Sequence, residues 1–251
     1  MNAAWRSFDD ELARWRDAGR EVQFWWRDDD ATRPAPALSR LLALAQRAGI
    51  PLALAVIPEQ AQAQAFAELG PKDAILQHGS DHVNRAPAGD KKCEFSGAPA
   101  ESIARLAAAR VSLAGIAGGR LLQVLAPPWN RLPDDLLPQL AGAGFRGLSR
   151  YGTRRTALAA PGLLQVNTHV DLIAWRDGRG FAGEAQVLAA ATAHLAAKRE
   201  GRADAAEATG WLSHHAVHDE AAWDFLERLF ETLRAAQGAR WLGAEEIFHI
   251  P

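Results

Sequence analysis

Two histidines four residues apart, His78 and His82, follow a short apolar run in the stretch ILQHGSDHVN. Imidazole nitrogens are common ligands of zinc, which also accepts carboxylate oxygens. The chain has eight histidines, so one pair at this spacing also arises by chance, for example as a helix cap beside a satisfied surface imidazole. Taken alone, the pair is weak evidence for a metal site.

Three consecutive aspartates, Asp28, Asp29 and Asp30, follow the apolar stretch that ends at Trp26. Adjacent carboxylates repel one another unless a cation or an arginine offsets their charge, and Arg27 can serve only part of that need. A solvated acidic turn is the alternative interpretation. The tryptophans just before the aspartates and the polar clusters elsewhere argue against it, so the aspartates strengthen the hypothesis of a metal site.

The unusual polar clusters all come directly after segments with the pattern of a strand. They are residues 28–30, His78 with His82, residues 127–130, His169 with Asp171, and His214 with His215. In a parallel α/β barrel the carboxyl ends of the strands meet at one face, where active sites are built. We therefore expect the five clusters to converge on one cleft.

Strand and helix patterns alternate about seven times along the chain. Apolar runs predict strands at residues 21–26, 50–57, 74–77, 121–125, 145–149, 163–167, 210–213 and 240–242. Helical spacing predicts helices at 7–18, 37–48, 100–116, 134–141, 184–198 and 220–236, the first capped by Ser7 and ended by Gly19. This alternation predicts an α/β fold closed into a barrel of parallel strands. The irregular stretch 85–99 predicts a functional or mobile loop.

Composition restricts the class of protein. With 251 residues, 48% of them hydrophobic, the chain is expected to form one domain over residues 1–251, with an N-terminal helix in residues 1–20 packed on the barrel. A formal net charge of -2 gives no general attraction to nucleic acid or anionic membranes. The single cysteine, Cys93, excludes an intramolecular disulfide and a multi-cysteine zinc site.

The N-terminal sequence predicts a cytoplasmic protein without a membrane span. The segment MNAAWRSFDDELARWRDAGR lacks the basic end and apolar core of a secretory signal. The longest apolar run, residues 50–58, is too short to cross a bilayer. The oligomeric state stays open.

With these residues in view, the chain resembles the metal-dependent polysaccharide deacetylases of carbohydrate esterase family four. The family has five ordered motifs, and a version of each stands between residues 22 and 218. Thr-Phe-Asp-Asp-Gly resembles RDDDA at 27–31, and His-Ser/Thr-x-x-His matches HGSDH at 78–82 in spacing. Arg-x-Pro-x-Gly is matched in part by APPWN at 126–130. Asp-x-x-Asp-Trp is similar to DLIAW at 171–175, and Leu-x-His corresponds to LSH at 212–214.

The resemblance implies a distorted (β/α) barrel of about seven parallel strands and assigns roles to residues. Asp30, His78 and His82 would hold a divalent metal, with zinc expected. Asp29 would act as catalytic base and His214 as catalytic acid. Contacts to the substrate are expected from Arg27, Pro128, Trp129, Asn130, Asp171, Trp175 and His215.

Two departures from the family pattern affect residues that orient the catalytic groups. The third-motif arginine, which orients the base, is replaced by Ala126, and the second aspartate of the fourth motif, which orients the catalytic histidine, is replaced by Ala174. The candidates for substitutes are Arg27, Asp28, His215 and His218. The sequence does not choose among them.

The expected reaction is hydrolytic removal of an acyl group from an N-acylated sugar, an oligosaccharide or a related small amide. Two alternatives stay open. One is a metal-dependent amidohydrolase acting on a non-sugar C–N bond, which a cytoplasmic location would suit. The other is a non-catalytic ligand-binding relative, which the two missing residues would suit. Retention of a base and an acid beside the metal favours an enzyme, because a binding protein needs neither.

Overall fold

The strands of the protein form one sheet in which most neighbours run parallel. The computed structural model describes residues 2–176 and 178–249. The strands are β1 (Val22–Ala31), β2 (Leu52–Val56), β3 (Ala74–Gln77), β4 (Leu121–Leu125), β5 (Gly147–Leu148), β6 (Leu158–Ala160), β7 (Leu163–Gln165), β8 (Val170–Asp171), β9 (Thr209–Ser213) and β10 (Ala239–Trp241). The helices are α1 (Ala3–Asp17), α2 (Pro36–Ala48), α3 (Pro99–Ala117), α4 (Leu137–Leu140), α5 (Glu184–Arg199), α6 (Glu220–Ala235) and α7 (Ala244–Phe248). The predicted α/β class is confirmed.

The strands lie in the order β6, β7, β5, β4, β3, β2, β1, β9, β8, and β10 pairs with the first residues of β1. The segment 163–171, which contains β7 and β8, links both ends of the parallel part. Its Thr168 N–H donates to the Arg150 carbonyl beyond β5, and its His169 N–H donates to the Gly210 carbonyl in β9. Backbone hydrogen bonds therefore join this segment to the residues after β5 on one side and to β9 on the other.

The two faces of β1 pack against different parts of the molecule. Phe24 and Trp26 belong to a large buried cluster with residues of α1, α2, α5 and α6. Trp25 belongs to another cluster, with alanines of β2 and with Phe248 of α7. Because side chains alternate along a strand, Trp25 and the odd-numbered residues up to Asp29 face the inside of the curved sheet, and the even-numbered residues up to Asp28 face the helices.

The helices follow the prediction with two corrections. Helix α1 is capped by Asn2, whose side chain accepts the Trp5 N–H, and not by Ser7. The helix predicted at 134–141 is a 3-10 turn, Asp134–Leu136, followed by the single turn α4. Pro138 is the physical reason, since it lacks an N–H and its ring clashes with the carbonyl four residues earlier. The other predicted helices begin and end within one residue of the observed bounds.

Strand β1 is longer than predicted. The prediction ends it at Trp26, but β1 runs through all three aspartates to Ala31. The aspartates are therefore part of the strand instead of the turn after it, and Asp28 pairs with Leu54 of β2 on one side and Ser213 of β9 on the other. Three adjacent charges are tolerated in a central strand because each finds its own partner, as described below.

The long connection between β3 and α3 contains no helix or strand over residues 85–98, in agreement with the irregular segment predicted there. Its Phe95 is buried in a third apolar cluster with Leu106 of α3 and Leu125 of β4. Across the described ranges, we find no helix with both the length and the apolar character needed to cross a membrane.

Candidate active site

The end of β1 is irregular, and this irregularity turns Asp30 towards the loop after β3. The pairing register between β1 and β2 shifts between Asp28 and Ala31, and Asp30 has a φ of 71°. Few non-glycine residues adopt this left-handed conformation. In a regular strand Asp30 would face the helices as Asp28 does. The bulge directs it instead to the two histidines of the second motif.

Asp30, His78 and His82 form a group of possible metal ligands. Asp30 Oδ1 lies 3.2 Å from His78 Nε2 and 3.3 Å from His82 Nε2. The His78 Nδ1–H donates to the Ala126 carbonyl oxygen at 2.9 Å, which leaves His78 Nε2 free to bind an ion. Asp30 Oδ1 is buried and has no hydrogen-bond partner among the described residues. A carboxylate oxygen that faces two imidazole nitrogens fits a divalent ion such as zinc.

Asp29 lies beside this group and is held by Arg27, which stands two residues earlier on the same face of β1. Arg27 Nε lies 2.8 Å from Asp29 Oδ1, and Arg27 Nη2 donates to Asp29 Oδ2 at 3.0 Å. Both residues are buried. A planar guanidinium that contacts both oxygens of a carboxylate fixes its orientation as well as its charge.

Arg27 is itself fixed by further hydrogen bonds. Its Nη1 donates to the Ser149 carbonyl at 2.9 Å and to the Ser149 hydroxyl at 2.7 Å. Its Nη2 also donates to Asn130 Oδ1 at 2.7 Å. The guanidinium that the family pattern would supply from position 126 is therefore supplied here by Arg27, which occupies the motif's threonine position.

His214 faces Asp29 from the end of β9. Its Nε2 lies 3.9 Å from Asp29 Oδ2, which is beyond hydrogen-bond distance. Its Nδ1 is buried without a hydrogen-bond partner in the parts of the chain that are described. The ring of Trp175 meets the His214 ring edge-on at 4.6 Å between ring centres. The aspartate missing at Ala174 thus has no replacement at His214 Nδ1 within those parts.

Asp171 orients a tryptophan. Its Oδ2 accepts the Trp175 Nε1–H at 2.8 Å, and its Oδ1 accepts the Ile173 N–H at 3.0 Å. Burial raises the pKa of Asp171 above its ordinary value, although the charge of His214 acts in the opposite direction. Asp171 and Trp175 together form one wall beside His214.

His215 pairs with Asp28 on the helix side of β1. The His215 Nδ1–H donates to Asp28 Oδ1 at 2.5 Å, while the His215 N–H and the Ser213 hydroxyl donate to Asp28 Oδ2 at 3.0 and 2.6 Å. Burial alone would lower the pKa of His215, but the charge and the hydrogen bond of Asp28 outweigh it and raise this pKa. The three aspartates therefore have separate partners, which are His215 for Asp28, Arg27 for Asp29 and the two histidines for Asp30.

Two tryptophans border the candidate site. The Trp129 ring centre lies 4.4 Å from that of His82, and Trp175 is 42% exposed. Trp211 is completely buried in the core. Pro128 packs against Gly79, where an added Cβ atom would lie 2.6 Å from the proline ring. Trp129 and Trp175 are therefore positioned to contact a ligand, and Trp211 is a packing residue.

A second cluster, of His169, His194 and Glu207, brings three buried ligand atoms together at the opposite end of β9. The expectation that His169 joins the cleft is wrong, because this residue precedes β8 while the cleft lies at the strand's end. The His169 and His194 rings stack at 3.6 Å and 17°, so their nitrogen lone pairs cannot point at one ion. His169 Nδ1 also accepts the Gly210 N–H, which puts the proton of neutral His169 on Nε2. These contacts argue against a metal here.

Two residues of the candidate site had no signal in the sequence. Ser149 holds Arg27, and Glu94 accepts hydrogen bonds from the loop that carries the two histidines. Glu94 is completely buried. Glutamates in irregular loops are mostly exposed, so neither its type nor its spacing identifies it in advance.

The sequence matches no protein-family profile and no curated protein. Its structure, however, is similar to solved deacetylases. A carbohydrate esterase of family four from Streptomyces lividans, solved with acetate, covers 88% of this chain and 90% of its own at 16% identity and a TM-score of 0.57. A Mycobacterium smegmatis protein assigned as a polysaccharide deacetylase covers 92% and 90% at 15% identity and a TM-score of 0.61.

A peptidoglycan deacetylase from Bacillus subtilis is similar over 92% of this chain and 91% of its own, at 14% identity and a TM-score of 0.54. At such low identities the likeness establishes the fold. The chain therefore has the fold of carbohydrate esterase family four deacetylases, and the resemblance to that family is confirmed at the level of the fold.

Proposed function

We propose that this protein is a metal-dependent hydrolase that removes an acyl group, in the first instance acetyl, from an N-acylated sugar or a related small amide. One observation carries the proposal: a buried carboxylate, Asp29, is fixed by Arg27 beside a group of three possible metal ligands, with an imidazole on its other side. A binding site needs no such base and acid. The acetate in the Streptomyces lividans structure supports acetyl as the first group to test.

Asp30, His78 and His82 would hold the ion, for which zinc is our choice. A bound divalent ion supplies a Lewis acid that makes water acidic and polarises an acyl carbonyl. Asp29 takes the proton from the attacking water, and Arg27 keeps its two oxygens in a fixed orientation. His214 donates a proton to the leaving amine, which is otherwise too basic to depart. A backbone N–H near Trp129 completes the stabilisation of the developing oxyanion.

The test combines metal content with turnover. We expect about one zinc per chain in the wild type by elemental analysis, and its loss in Asp30→Ala, His78→Ala and His82→Ala, because two remaining ligands hold zinc weakly. Asp29→Asn should retain the metal and lose turnover, since an amide of similar shape cannot accept the proton. Equal metal content in the wild type and all three ligand variants would refute the metal site.

The substrate class is tested on the same proteins. Acetate release is measured from N-acetylated mono- and oligosaccharides and from small non-sugar N-acetyl amides. Release from the sugars supports the proposal, and release from the non-sugar amides alone favours the amidohydrolase alternative. If the wild type binds zinc but releases no acyl group from either set, the protein is a ligand-binding relative. The cytoplasmic location expected from the sequence stays a prediction.

A further inference from the structure

The loop that carries the two histidines, residues 78–82, is here called the metal loop. Two of its residues have left-handed backbone conformations, with φ of 67° at Gly79 and 58° at His82. Such a conformation is unfavourable for a residue with a side chain, so His82 needs contacts that hold it there. The loop lies outside the strands. Its His78 N–H still donates to the Val56 carbonyl of β2, and its Ser80 carbonyl accepts the Glu59 N–H, but neither bond holds the backbone of His82.

Glu94 provides these contacts from the irregular segment between β3 and α3. Its Oε1 accepts the Ser80 N–H at 2.7 Å and the Ser80 hydroxyl, and its Oε2 accepts the His82 N–H at 3.1 Å. Glu94 is completely buried between two other buried residues, Cys93 and Phe95. One carboxylate therefore uses both of its oxygens to hold the backbone of the metal loop.

Gly79 provides a second, independent observation. It occupies the position at which the second motif has serine or threonine, and an added Cβ atom there would collide with the Glu94 carboxylate and lie 2.6 Å from Pro128. A side chain at this position and the buried Glu94 exclude each other. The Glu94 carboxylate therefore occupies the space that a side chain at position 79 would fill, and it contacts the metal loop from a different segment of the chain.

The two residues directly before Glu94 are held by hydrogen bonds. The Cys93 N–H donates to Asn84 Oδ1 at 2.9 Å, and the Arg85 N–H donates to the Cys93 carbonyl at 2.9 Å. Arg131 Nη1 donates to the Lys92 carbonyl at 2.9 Å. The backbone next to Glu94 is therefore held in place, which fixes the position of its carboxylate beside the metal loop.

The geometry points to Glu94 as the positioning residue of the proposed metal centre. It holds His82 in its left-handed conformation and thereby keeps the His82 imidazole beside Asp30. This inference rests on the proposed function, because it assigns a role in binding the ion that the function requires. Residues that orient metal ligands typically change metal affinity 10–100-fold when they are replaced.

The test is the zinc affinity of the full-length protein, measured by competition with a chromogenic chelator. Glu94→Gln keeps one oxygen for Ser80 but turns an NH₂ group towards the His82 N–H, so two donors face each other. We expect about 10–100-fold weaker zinc binding. Glu101→Gln, at an exposed position in the first turn of α3, is the matched control and should bind zinc like the wild type.

Glu94→Asp serves as a second variant in case Glu94→Gln does not fold. It retains the charge but is one methylene shorter, so it cannot reach both Ser80 and His82. Its zinc affinity should lie between those of the wild type and Glu94→Gln. The apo forms are compared by thermal unfolding. A lower apo melting temperature with unchanged zinc affinity in the variants would mean that Glu94 is only a packing residue and would overturn the inference. Failure of the wild type itself to bind zinc would overturn the proposed function instead.

Discussion

At the scale of residues, the adjacent histidines His214 and His215 have different partners in the structure. His214 faces Asp29, and its Nδ1 has no hydrogen-bond partner in the described part of the chain. His215 is bound through Nδ1 to the buried Asp28. Of these two histidines, His214 is the one that approaches the proposed base, so we propose His214 as the proton donor and a structural role for the pair of His215 and Asp28.

This assignment predicts a selective defect. His214→Ala should lower the rate on amide substrates by roughly 10²–10⁴-fold, the usual contribution of a positioned acid. An activated ester should be affected much less, because its leaving group departs without a proton. The measurement is the ratio of kcat/KM for an N-acetylated sugar and an activated aryl acetate, whose phenolate leaves without a proton.

His215→Ala and His218→Ala provide the comparison for that experiment. His215→Ala leaves Asp28 buried without its imidazole, so we expect a loss of several kcal/mol of unfolding free energy, without a change in the amide-to-ester ratio. A selective amide defect in either of these variants, with none in His214→Ala, would mean that the fifth motif is placed on the wrong histidine.

At the scale of elements, β1 shows what the sequence can and cannot predict. The tryptophans and aspartates marked it as a strand that leads to a site, and the motif spacing brought Asp30 together with His78 and His82. The pattern ended the strand at Trp26 because charged runs normally mark turns. The bulge at Asp30 depends on the pairing of β1 with β2, and pairing register cannot be read from one strand alone.

The same limit applies to the contacts between elements. Arg27 was one of several candidates to replace the missing arginine, and the alternation of β1 places it on the face of Asp29. Its partners Ser149 and Asn130 come from two other connections, so no local pattern could select it. Glu94 was not expected at all, because its contacts to the metal loop depend on the course of an irregular segment.

Segment 163–171 packs so closely against β9 at Gly210 that adding one methyl group there should lower the stability of the protein. An added Cβ atom at Gly210 would collide with the Trp25 indole and lie 2.6 Å from the Asn167 carbonyl oxygen. These two groups form a hydrogen bond of 3.1 Å. Gly210→Ala should therefore cost about 1–3 kcal/mol of unfolding free energy, measured by urea denaturation, because the packed strands must separate.

Gly115 is the matched control for that substitution. It lies exposed in α3, and nothing lies within 4 Å of its added Cβ atom. Gly115→Ala should raise the unfolding free energy by about 0.5–1 kcal/mol, since alanine restricts the unfolded chain and favours the helix. Equal effects of the two substitutions would show that Gly210 has no special role in joining the sheet.

At the scale of the whole molecule, the two ends of the curved sheet carry different polar groups. The carboxyl ends of β1 and β9 carry the candidate site. The beginning of β9 lies over the cluster of His169, His194 and Glu207, with Lys198 of α5 nearby. Burial lowers the pKa of Lys198 to about 8, although the charge of Glu207 acts in the opposite direction. None of these residues takes part in the proposed reaction. We expect them to affect how the free energy of unfolding depends on pH.

His194 predicts how stability depends on pH. Its ring is buried, stacks on His169 and contacts Thr209 Oγ1 at 3.1 Å. Burial, together with the charges of His169 and Lys198, lowers the pKa of His194 to about 2. In the unfolded chain the same group has a pKa near 6.5. Between these pH values the unfolded chain binds a proton at His194 that the folded protein does not bind. The contribution of His194 to the free energy of unfolding is therefore fully present above pH 6.5 and decreases as the pH falls.

The contribution of His194 to this decrease should approach about 1.4 kcal/mol per pH unit below pH 6.5. Burial also lowers the pKa values of His169 and of His218, the latter to about 4, whereas the raised pKa of His215 contributes to the total pH dependence with the opposite sign. His194→Gln removes one titrating group, and the unfolding free energy from urea denaturation should then fall less between pH 7 and pH 5. The exposed His249→Gln should keep the wild-type slope, and an unchanged slope in His194→Gln would contradict a neutral, buried imidazole at this position.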